Sequence, residues 1–66
     1  MNLKDLKNST DVGDLRVITY HIPGDTRKVV EGIIIHLDEY SLDFSMKDHD
    51  RWVTGILYPN EIVSIY

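Results

Sequence analysis

Few side chains in this 66-residue sequence could do bond-making chemistry. There is no cysteine, and the groups that ordinarily titrate near neutrality are three histidines, His21, His36 and His49. His49 lies between Asp48 and Asp50, a trio that could suggest a metal site. Metal ligands must converge on one point, however, and neighbouring turn residues diverge, so a solvated charged turn is expected there. His21 and His36 fall in extended segments, where either could act as an acid or base if it faced a cleft. No serine has a histidine and a carboxylate predictably placed beside it, and no glycine-rich phosphate loop occurs. Asp38 and Glu39 would point to opposite sides of an extended chain, which is poor geometry for shared proton transfer. The expectation is a protein that is not an enzyme, with no cofactor and no metal. Its candidate residues are suited to contact. Asp38, Tyr40 and Ser41 sit at a turn, where an aromatic ring can stack on a base or cap the end of the fold. Trp52, Tyr58 and Tyr66 are large amphipathic rings of the kind enriched at protein interfaces.

The elements that position these residues are extended. Residues 29–44, V-V-E-G-I-I-I-H-L-D-E-Y-S-L-D-F, are rich in β-branched and aromatic types and lack helical periodicity. They predict a long strand over 27–37 that bends at Gly32, turns at Asp38-Glu39 and returns over 41–47. In the returning strand Leu42, Phe44 and Met46 alternate with Asp43, Ser45 and Lys47, which assigns the first three to the core. An earlier strand is expected over 15–22, with Ile18, Tyr20 and Ile22 on one face and Leu15, Val17, Thr19 and His21 on the other. It ends at the turn signal Pro23-Gly24-Asp25. After the charged turn 47–51, a fourth strand is expected over 52–57, a tight corner or single 3₁₀ turn at Tyr58-Pro59-Asn60, and a fifth strand over 61–66 whose backbone edge is free to pair. Residues 1–9 read as a short helix or arm, with Asn2 as cap and Asp5 in a capping-box position. A helix that short does not persist alone, so Leu3 and Leu6 must dock, either on an open end of the fold or on another subunit. The pattern as a whole predicts one all-β domain: a five-stranded, strongly bent small barrel with a short N-terminal helix.

Gly32, Leu37, Asp38, Tyr40 and Ser41 together resemble the first motif of the Sm-like proteins: a glycine in a bent strand, then an apolar residue and an aspartate, then an aromatic and a small polar residue. That resemblance implies a base-binding pocket at Asp38, Tyr40 and Ser41, and rings formed through edge strands. Ser41 stands where the family carries asparagine, and Thr54-Gly55 where its second motif carries arginine and glycine. The run from Trp52 through Gly55, Tyr58 and Pro59 to Val63 resembles the end of a Src-homology-3-like barrel, and the stretch 12–17 is similar to its first strand. That second likeness implies that Trp52, Tyr58 and Pro59 contact proline-rich peptides.

Composition narrows the partners. The formal charge is −4, from eleven acidic and seven basic residues, which disfavours general nucleic-acid binding because phosphate contacts need a basic surface. So short a chain builds a small core, and with no cysteine to form disulfides the expected remedy is association with itself or with a protein partner. No stretch approaches the roughly 20 apolar residues that cross a bilayer, and residues 1–6 lack a secretory pattern, so the expected place is the cytoplasm. The expected function is a self-associating, non-catalytic binding module that occupies a protein or small ligand. It is similar in style to compact acidic barrels among phage and mobile-element products that block host proteins. An Sm-like RNA-binding ring is the first alternative and a small-barrel enzyme or metal protein the second.

Overall fold

The computed structural model describes residues 2–24 and 26–66; Met1 of the expected arm and Asp25 of the expected turn lie outside them. The chain forms a short helix, α1 (Leu3–Leu6), then β1 (Leu15–His21), β2 (Arg27–Leu37), β3 (Leu42–Asp48) and β4 (Arg51–Leu57), a 3₁₀ turn at Pro59–Glu61, and β5 (Ile62–Ile65). All five strands belong to one antiparallel sheet in the order β4-β3-β2-β1-β5. The fold is therefore all-β with one short helix. Among the described residues β4 pairs only with β3 and β5 only with β1, so each leaves an outer edge.

The buried apolar side chains gather on one side of the sheet. Leu3, Ile18, Ile34, Leu42, Phe44, Leu57 and Ile62 form the buried core, drawn from the helix and all five strands. The alternation in β3 works as expected: Leu42 and Phe44 are buried and Met46 packs against them. Ile18 and Tyr20 also take the inward face, but Ile22 falls outside β1 and is exposed, because the chain is already turning towards Gly24, whose φ is +83°.

Phe44 sets the spacing between strands. A Cβ added at Gly32 would lie 2.9 Å from its ring, and one added at Gly55 would lie 2.6 Å from it. Both distances are shorter than real Cβ contacts allow, so both positions must lack a side chain for the ring to sit where it does. At Gly32 the missing side chain makes room for Phe44, while the irregularity of β2 falls between Ile34 and His36. Gly55 makes the tighter contact of the two.

The helix expected within residues 1–9 is a single turn, Leu3–Leu6. Asn2 caps it by accepting a hydrogen bond from the Lys4 amide at 2.9 Å, rather than through residue 5. Leu3 is fully enclosed in the core and Leu6 packs against it, so the arm docks on its own sheet. Arg16 holds the segment that follows, donating to the Ser9 carbonyl at 2.8 Å and to Asp14 at 2.9 Å. Asp14 sits below its ordinary pKa because it accepts from the Asp11 amide and then from Arg16. Among the described residues, no helix is long and apolar enough to cross a membrane.

Candidate binding surfaces

The β2–β3 turn is built around Asp38. Its Oδ1 accepts from the amides of Tyr40 at 2.7 Å and Ser41 at 2.9 Å, and its backbone amide donates to the Ser41 carbonyl at 3.2 Å. Its Oδ2 lies 2.9 Å from His36 Nε2. The His36 hydrogen bond, followed by the two amide bonds, lowers the Asp38 pKa to about 2. This local network pins the turn and leaves the Tyr40 ring 75% exposed at its tip. The ring therefore does not cap the core.

The structure brings Asp38, Tyr40 and Ser41 together but does not gather the other three aromatics. Leu57 pairs with Leu42, so Tyr58 follows β4 at the same end of the sheet as the Asp38 turn. Trp52 lies at the opposite end of β4, opposite Lys47, six residues from Tyr58 and so about 20 Å away along the strand. Tyr66 is on the other margin of the sheet, where its amide and carbonyl exchange 3.0 Å bonds with those of Val17. Trp52, Tyr58 and Tyr66 are all exposed. They stand apart from one another on the sheet.

The histidines show no convergence on a ligand. His49 occupies the two-residue β3–β4 loop with φ 58°, is exposed, and lies 3.8 Å from Asp48. His21 is exposed at the end of β1, and His36 is engaged with Asp38. Among the described residues no three histidine or carboxylate side chains are grouped to hold a metal ion.

One surface exceeds what the motifs pointed to. The outward side chains of β1 and β2 include Leu15, Val17, Val29 and Ile33, of which Leu15 and Val29 are largely exposed. Next to them a cleft of about 400 Å³ opens between residues 29–31 of β2 and 45–47 of β3, with Leu15 and Trp52 also lining it. The signal in the sequence was the second face of β1: Leu15 and Val17 are apolar although Ile18 and Tyr20 already supply the core face.

No protein-family model, curated protein or solved structure shows a significant match to this chain.

Proposed function

We propose that this protein is a non-catalytic interaction module that works by contact and associates with copies of itself. The observation that carries the reading is the chemistry of its two outer edges. β4, R-W-V-T-G-I-L, has one charged residue, at its first position, and β5, I-V-S-I, has none. Edge strands that remain solitary are usually guarded by interior charges, proline or bulges that turn the backbone away. Among the described residues, the one irregularity at β5 is in its ladder with β1, between Thr19 and Tyr20, on its inner side. Trp52 and Ile56 on β4, and Val63 and Tyr66 at β5, add exposed apolar area beside the two backbone edges. A core of seven buried apolar side chains is small, and joining edges would enlarge the buried area.

Sedimentation velocity across a concentration series tests this. The expected result is a species larger than one chain that dissociates on dilution, and that is lost when a charge is placed on the β4 edge by Ile56→Lys. A single-chain species at every concentration would remove self-association from the proposal.

One observation favours a second reading, that of an Sm-like RNA-binding protein. Tyr40 is held out on a turn whose backbone Asp38 has already organised, so little further ordering is needed before the ring stacks on a base. Such stacking contributes about 1–3 kcal/mol per base. This reading expects oligo-U or oligo-A to bind at low salt and to bind less after Tyr40→Ala. No binding at low salt, where phosphate contacts are strongest, would end it.

A further inference from the structure

The cleft between β2 and β3 lies where a ladder comes apart. β2 and β3 pair from Leu37↔Leu42 back to Ile33↔Ser45, and there the pairing stops. β2 continues to Arg27 in register with β1, and β3 continues to Asp48 in register with β4. The two hairpins therefore diverge from a common point. Side chains from both faces of the sheet line the opening: Val29 and Lys47 from the outer face, and Val30 and Met46, which pack against the core. The opening is thus a slot between strands that reaches the flank of the core.

The backbone groups facing this slot can be identified. In an antiparallel ladder, hydrogen bonds to a given neighbour come from every second residue. The Ile34 amide donates to the Asp14 carbonyl at 2.9 Å, so Ile34 faces the β1 side, and with it Gly32, Val30 and Lys28. Val17 exchanges bonds with Tyr66 of the β5 margin, which leaves Arg16, Ile18 and Tyr20 facing β2, opposite Gly32, Val30 and Lys28. Both margins give the same parity. The amides and carbonyls of Val29 and Glu31 therefore point into the slot, with that of Lys47 across from them, and no described strand pairs with them there.

We propose that this slot receives one extended peptide segment of a partner protein, which adds a strand on the Val29–Glu31 edge. A row of alternating N–H and C=O groups is matched by another polypeptide backbone, and the partly buried Val30 and Met46 offer apolar contact to every second side chain of the incoming strand. The wedge shape selects a lone segment. An edge strand of a second folded copy carries its own sheet neighbour, which would collide with β3 where the slot narrows towards Ser45. The outer rim sets Glu31 and Lys47 among the apolar Leu15, Val29, Ile33 and Trp52, so outward residues that carry both a methyl and a hydroxyl group, such as threonine, fit there. The segment is thus of alternating apolar and polar residues, and the site is distinct from the outer edges of β4 and β5.

The probe is an acetylated, amidated peptide of alternating valine and threonine with a lysine at each end, titrated into the isotope-labelled full chain. The amides of Val29 and Glu31 should exchange rapidly in the free protein while those of Val30 and Gly32 are protected. On titration Val29, Glu31 and Lys47 should shift and gain protection, and the emission of Trp52 should change. A peptide with the same side chains but alternate amides N-methylated should bind about tenfold more weakly or worse, because it has lost its donors. Val29→Pro should abolish binding and leave the β1–β2 ladder intact, since proline is tolerated where the amide faces away from the ladder. Three outcomes would overturn the proposal: protected Val29 and Glu31 amides in the free chain, no shift at those residues at millimolar peptide, or equal binding by the N-methylated peptide. Sedimentation is measured without peptide, so self-association stands or falls separately.

Discussion

Asp38 shows how one carboxylate can organise a turn without burial. It has three hydrogen-bond partners, the amides of Tyr40 and Ser41 and the ring of His36. All three favour the ionised form, and the His36 bond contributes most to holding the pKa at about 2. The sign of the pH effect follows. The folded-state pKa lies below the 3.8 of an unperturbed aspartate, so the stabilisation is complete above that value and is lost as the pH falls through the folded value of about 2. The turn should therefore loosen between about pH 4 and pH 2. A carbon-detected NMR titration of the Asp38 carboxyl should show its midpoint near 2, and His36→Ala should move that midpoint upwards. A midpoint unmoved by His36→Ala would mean that the ring does not hold the carboxylate. At this scale the turn was legible in advance: an aspartate that accepts from the backbone amide two residues on is a turn signal with a defined mechanism. Which oxygen bonds which amide depends on the folded turn, and so does the outward aim of Tyr40.

At the level of elements, the most readable strand was β2, whose bounds Arg27–Leu37 follow from a β-branched run closed by turn residues on both sides. The neighbouring strands shift by about one residue because their ends are set by partners. Asp48 and Arg51 join the ladder across the hairpin, although both read as part of a charged turn. The slot was not legible, because it depends on where two strands stop pairing. The irregularity between Ile34 and His36 helps set that register, and no single segment encodes it. The Phe44 notch falls between these cases. Its alternation was plain, and its contact with Gly55 arises from cross-strand pairing, Phe44↔Gly55. Phe44→Ala should cost about 3–5 kcal/mol in denaturant unfolding. Gly55→Ala should cost about 1–3 kcal/mol, as added atoms in filled cores do. Combined with Phe44→Leu, the added methyl should cost less than it does alone. Strict additivity in that double variant would mean that ring and glycine are not in contact.

For the whole molecule, the main consequence comes from the two outer edges. They are different strands, at opposite margins of the sheet and of different length, seven residues in β4 and four in β5. A contact that joins one kind of edge to the other has a head and a tail, so adding a copy always leaves one of each exposed. Growth then ends only if the turn per copy brings the last subunit back to the first; otherwise it continues as an open fibre. Mixing a copy blocked only on β4 with a copy blocked only on β5 should halt growth at a pair, whereas either blocked copy alone should stay single. Under such a contact the number of subunits would be a matter of angle rather than of affinity.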